Sequence, residues 1–124
     1  MRAIRGATTI EENQAEQIYQ ATSELFAKIV SQNELAPEDF VSVIITVTED
    51  ISAAFPARAV RETPGFELVP VMGMQEIPVP GAPEKCIRMM CHVNIEKKLA
   101  EVEHIYLREA VRLRPDLVKK EELS

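Results

Sequence analysis

The sequence predicts an α+β fold, a mixed or largely antiparallel β-sheet covered by helices. Three observations carry that reading. Early in the chain, Ile18, Ala21, Leu25, Phe26, Ile29 and Val30 recur at helical spacing. Later, Val41, Val43, Ile45 and Val47, and then Ile87, Met89, Cys91, Val93 and Ile95, alternate with other residues at the period of a strand. Prolines and glycines gather between these stretches and mark the turns. The order is strand, helix, strand, helix, strand, strand and a mixed end, which makes a sheet with helices packed on it.

Taken in order, residues 2–7 read as a short strand. Thr9 and Glu12 form a capping box, whose hydroxyl and carboxylate satisfy free amides at a helix start. The helix should run over residues 10–31 and stop before Pro37. Residues 40–48 are the first alternating strand. Pro56 suits the first turn of a helix, and residues 57–62 supply a short one. Thr63-Pro64-Gly65 turns the chain. Residues 66–74 form a strand that Pro70 confines to an edge or an irregular place, because proline cannot donate to a ladder. Residues 77–84 hold three prolines and a glycine and form a loop. Residues 85–95 are the second alternating strand. Leu99, Val102, Tyr106, Ala110 and Leu113 suit one final helix, ended at Arg114 because Pro115 disfavours continuation. The charged end, about residues 115–124, should be mobile.

The 124 residues fit one domain, 1–124, with an aliphatic core, since 46% are hydrophobic but only 5% aromatic. Fourteen basic against 20 acidic residues give a net charge of −6. That balance disfavours a nucleic-acid partner, which needs a basic face. No apolar run approaches the roughly 18 residues of a membrane span, and the start lacks the apolar stretch of a signal peptide. Cys86 and Cys91 lie an odd number apart in one strand, so they point to opposite faces and should not pair. A reducing, cytoplasmic setting is expected.

The informative feature is where arginine stands. Arg88 interrupts an apolar strand, with Cys86 and Met90 beside it on its own face. Arg5 shares a face with Ala3 and Ala7. An unpaired cation on such a face costs on the order of several kcal/mol in desolvation. An internal ion pair with a glutamate or a solvated edge would relieve either one alone. Arg58 and Arg61, at i,i+3, would by themselves be a solvated helix face. Together the four point to a pocket for a small anion with more than one carboxylate. The guanidinium fork binds carboxylate bidentately and stays charged, and an acidic protein needs a local positive pocket to admit a dianion. On composition alone, Glu76 is a surface glutamate and Tyr106 a core ring with its hydroxyl at the surface. No His, Cys and Asp grouping has metal-ligand spacing, and no glycine-rich phosphate loop occurs. Cys91 and His92 point to opposite faces and make no nucleophile pair. The chemistry expected needs no metal, no cofactor and no covalent intermediate.

Six stretches then stand out in order: Ile4-Arg5-Gly6-Ala7-Thr8-Thr9, Phe55-Pro56-Ala57-Arg58-Ala59-Val60-Arg61, Met74-Gln75-Glu76, Lys85-Cys86-Ile87-Arg88, His104-Ile105-Tyr106-Leu107 and Leu113-Arg114-Pro115-Asp116-Leu117. In these the chain resembles the monofunctional AroH class of chorismate mutase over nearly its full length. The resemblance implies a pseudo-α/β-barrel homotrimer with active sites in clefts between subunits. It implies Tyr106 in extended chain followed by a short helix, against the single helix that periodicity suits. The implied activity is the Claisen rearrangement of chorismate to prephenate. Arg88 would face the ether oxygen and Glu76 the ring hydroxyl, while Arg5 and Tyr106 would hold the side-chain carboxylate. Arg61 and Arg114 would stand at the mouth near the ring carboxylate, with Phe55, Val71, Met72, Gly73 and Leu113 shaping the walls. Arg58 stands where the family commonly has lysine, and Met72-Gly73 departs from the family before Met-Gln-Glu. The rivals are a trimeric enamine or imine deaminase and a non-catalytic sensor of a carboxylate metabolite.

One expectation concerns the chain end. Leu113 and Arg114 lie close enough in sequence to Tyr106 to reach the same cleft, so the segment would close over bound substrate. Removing residues 113–124 should raise KM far more than it lowers kcat, which steady-state kinetics on the truncated chain will measure. Removing 119–124 alone should do little.

Overall fold

The computed structural model describes residues 1–112. Its strands are β1 (Arg2–Thr9), β2 (Phe40–Val47), β3 (Val71–Gln75), β4 (Cys86–Val93) and β5 (Ile105–Tyr106), and its α-helices are α1 (Ala15–Gln32) and α2 (Ala57–Arg61). The sheet order is β3-β2-β4-β1-β5. β4 lies at the centre, antiparallel to β1 and β2, while β3 runs parallel to β2 and β5 parallel to β1. The sheet is mixed, with helices on one face, as the sequence predicts.

That covered face holds the core. Ile4, Val43, Ile45, Ile87, Met89, Cys91 and Val93 meet Ile18, Leu25, Phe26 and Ile29 of α1, all buried. Gly6 is required by this contact. A Cβ there would stand 2.7 Å from Ile29 Cδ1 and 3.0 Å from Leu25 Cδ1, so α1 could not lie so close. Three of the four phenylalanines, Phe26, Phe40 and Phe66, pack with ring centroids 5.0–5.5 Å apart. The fourth, Phe55, is 82% exposed.

Four local expectations are corrected. α1 begins at Ala15, with no side-chain cap at Gln14, rather than at residue 10. Thr9 is instead the last residue of β1, opposite Cys86, and the ladder continues from Ile10 N–H to the Lys85 carbonyl at 3.0 Å. Long-range pairing outcompetes the local cap. In β2, a bulge between Phe40 and Ser42 turns Val41 to solvent and sets Phe40 against the core. β3 is an edge strand, as Pro70 required, but starts only at Val71 because residues 66–69 are taken up in turns. The final helix is absent from the described residues. Two 3-10 turns, Leu99–Glu101 and Arg108–Arg112, flank β5. The free edge of β1 decides this, since Ile105 and Tyr106 pair with Gly6 and Ala7, and Leu107 N–H donates to the Ala7 carbonyl at 2.9 Å. Tyr106 is extended, as the family resemblance implied.

Asn33 clips this C-terminal stretch in place. Buried just past α1, it donates to the Ile29 and Glu103 carbonyls at 3.0 and 2.9 Å and accepts from Glu103 N–H at 2.9 Å. Each buried polar group left without a partner costs about 1–3 kcal/mol. Asn33→Ala is therefore expected to lower unfolding stability by about 2–4 kcal/mol in a urea titration.

Candidate active site

The alternation that fills the core also dictates what the other face of the sheet presents. Arg5 and Ala7 of β1, Arg88 and Met90 of β4, and Ile44 and Thr46 of β2 all point away from the helices. Register sets their neighbours. Ala7 and Thr46 flank Arg88, and Arg5 and Ile44 flank Met90. Tyr106 joins from β5, paired with Ala7. A cavity of about 480 Å³ opens here, lined by Arg5, Ala7, Ile44, Thr46, Glu76, Arg88, Met90 and Tyr106 among others. Arg5, Glu76, Arg88 and Tyr106, far apart in sequence, are thus brought together.

Each is held by its own element. Arg88 lies within β4, whose start is pinned from the segment that follows β2. The Asp50 carboxylate accepts Lys85 N–H at 2.9 Å, and Thr48 Oγ1 accepts Cys86 N–H at 3.0 Å. Glu76 directly follows β3, and its N–H donates to the Val47 carbonyl at 2.8 Å, extending the ladder. Its carboxylate accepts a hydrogen bond from the Thr46 hydroxyl and stands 3.7 Å from Arg88 Nε. The two side chains remain 44% and 26% exposed, open toward the cavity. Arg5 N–H donates to His104 Nδ1 at 2.9 Å, tying β1 to the approach of β5. Tyr106 is buried in a small cluster with Ala7, Cys86 and Ala110.

Two guanidiniums, a carboxylate and a phenol around a partly apolar cavity can bind a hydroxylated dianion and stabilise negative charge that develops within it. The nearby thiol is a poor nucleophile. Burial raises the Cys86 pKa against the opposing pull of Arg88, and burial pushes Cys91 up to about 12. β4 sets these two free cysteines on opposite faces. Among the described residues, no group of three His, Cys, Asp or Glu could hold a metal ion, and no helix is long and apolar enough to cross a membrane.

The remaining candidates are not brought to this cavity within one chain. Phe55 and Gly73 line a separate cavity of about 610 Å³ with Ile45 and Val47, on the helix side of the sheet near β3. Val71 shares that face, while Met72 points to the open face and is 63% exposed. Arg58 pairs with Glu62 at 2.7 Å and lies over the Tyr19 ring, 5.3 Å from its centroid. Arg61 is exposed on α2. Leu113, Arg114 and the chain end lie outside the described residues. Sequence reasoning missed Thr46. It reads there as one polar member of an alternating strand, and only the β2–β4 register sets it opposite Arg88.

Residues 1–117 match the family model Chorismate mutase type I. The chain is 46% identical over 117 residues to chorismate mutase AroH of Bacillus subtilis, covering 94% of this chain and 92% of that protein. It is 48% identical over 118 residues to chorismate mutase AroH of Thermus thermophilus, covering 94% and 96%. A solved chorismate mutase from Clostridium thermocellum has a similar fold, with a TM-score of 0.86 and 45% identity over 89% of this chain and 97% of that one.

Proposed function

Because this chain belongs to the chorismate mutase type I family, we propose that Arg88, Glu76, Arg5 and Tyr106 carry out its reaction, the rearrangement of chorismate to prephenate in aromatic amino acid biosynthesis. The observation that carries the assignment is Arg88 beside Glu76 at the centre of the sheet, in one cavity with Arg5 and Tyr106. The reaction is intramolecular. The carbon–oxygen bond of the enol ether breaks ahead of carbon–carbon bond formation, so negative charge grows on the ether oxygen. The Arg88 guanidinium faces that oxygen and binds the transition state more strongly than the substrate, which is what acceleration requires. Glu76 accepts a hydrogen bond from the ring hydroxyl. Arg5 and Tyr106 hold the side-chain carboxylate and so fix the reactive conformer.

The rest of the cleft comes from a second copy in a homotrimer. Phe55, Val71, Met72, Gly73 and Leu113 supply walls, and Arg58, Arg61 and Arg114 supply positive charge at the mouth. The exposure of Phe55 and Met72 in a single chain supports this, since both are apolar surface that a neighbour would cover. Two buried free thiols suit a reducing cytoplasm.

Chorismate turnover by the purified chain with EDTA present tests the function, followed as loss of chorismate's ultraviolet band. Turnover is expected. An imine deaminase or a carboxylate sensor would leave the band unchanged.

A further inference from the structure

We propose that Thr46 is a positioning residue that holds the Glu76 carboxylate back from Arg88, so that the guanidinium keeps its donors for the substrate. The inference rests on the reading of Arg88 and Glu76 given above.

Three features of the site carry it. Thr46 is the direct cross-strand neighbour of Arg88, so the two side chains rise from the same face at the same level. The Thr46 hydroxyl donates to Glu76 Oε2, and it is that same oxygen that stands 3.7 Å from Arg88 Nε. The Glu76 backbone is tethered to the end of β2 through Val47, which leaves its carboxylate within easy reach of either partner.

The spacing is the anomaly. Unconstrained arginine and carboxylate groups close to about 2.7–2.9 Å, often as a two-bond fork. Here an oppositely charged pair at the centre of a sheet is held open instead. Closing it would spend guanidinium donors on Glu76 and turn the fork away from the cavity. The hydroxyl prevents this by occupying Oε2 and drawing the carboxylate toward β2. The other oxygen, Oε1, stays available to a substrate hydroxyl. Thr46 acts through Glu76 and Arg88 and takes no part in bond making.

Thr46→Val keeps the shape of the side chain and removes the donor, whereas Thr46→Ser keeps the donor and removes a methyl. Thr46→Val is expected to lower kcat about 10–100-fold, as for loss of one hydrogen bond to a charged group, with little change in KM for chorismate or in thermal midpoint. Thr46→Ser should stay within about threefold of the wild-type kcat. A wild-type kcat in Thr46→Val, or an equal loss in Thr46→Ser, overturns the proposal. Glu76→Ala measured alongside separates the two levels. If it is impaired while Thr46→Val is not, only the role of Thr46 falls; if it turns over like the wild type, the site reading itself falls.

Discussion

Arg88→Ala is expected to lower kcat by at least about 10²–10³-fold, since removing one preorganised charge-stabilising donor costs about 2.7–4 kcal/mol of transition-state binding. The loss should fall on kcat more than on KM, because the ether oxygen gains its charge only as the bond breaks. Folding should survive. The Arg88 side chain is nearly half exposed, and its hydrophobic neighbours along the strand, Ile87 and Met89, point into the core and are untouched by the change. Unchanged circular dichroism and thermal midpoint would show this. Arg88→Lys should be a poor substitute, because a point charge lacks the planar fork. Replacing Arg88 with citrulline, neutral but of the same shape, separates charge from geometry. If citrulline supports a near-normal kcat, electrostatic stabilisation is not the source of the rate.

If the proposed homotrimer shares its clefts between copies, two variants that are each nearly inactive are expected to regain activity when their chains assemble together. The Arg88 cavity lies on the open face of the sheet, and the Phe55 and Gly73 cavity lies on the helix side. A small dianion cannot touch both sides of one sheet, so in the proposed homotrimer a complete cleft would take the first patch from one copy and the second from its neighbour. Arg88→Ala disables the first. Phe55→Asp disables the second by setting a negative charge on a wall that a dianion must approach, at a position too exposed to matter for folding. In a ring of three, each mixed trimer holds one cleft of the three with neither defect, so mixed trimers should show about one third of wild-type turnover. Co-expression of the two chains with different tags, followed by purification on both, provides the sample. A mixed protein as inactive as its parents would mean that the site is built within a single copy.

Much of this was legible in the residues. The buried stripe of α1 is the one that helical spacing picks out, and Val43, Ile45, Ile87, Met89, Cys91 and Val93 face the core as alternation requires. Such patterns reflect which side of an element is wet, and short-range backbone geometry repeats them every two or 3.6 residues. Arg88 was visible for the same reason, as a cation breaking an apolar strand. The family resemblance then supplied the companions Glu76 and Tyr106, which composition alone would have left as a surface glutamate and a core ring.

What the sequence by itself determined, then, is which residues face the core, and that a charged group stands on the opposite face of the central strand. Tertiary structure decided which strands lie side by side, and everything that follows from that. Thr9 has a good helix cap's chemistry, yet it pairs with Cys86 because the β1–β4 ladder reaches that far. Tyr106 fits a helical period, yet it is extended because β1 offers unpaired backbone groups that residues 105–107 satisfy. Thr46 meets Glu76 and Arg88 only through the order β3-β2-β4. The physical reason is common to all three. Periodicity is a local property of the chain, whereas a hydrogen-bonding edge is filled by whichever segment the whole fold delivers to it, and an unfilled buried edge costs more than a local preference is worth.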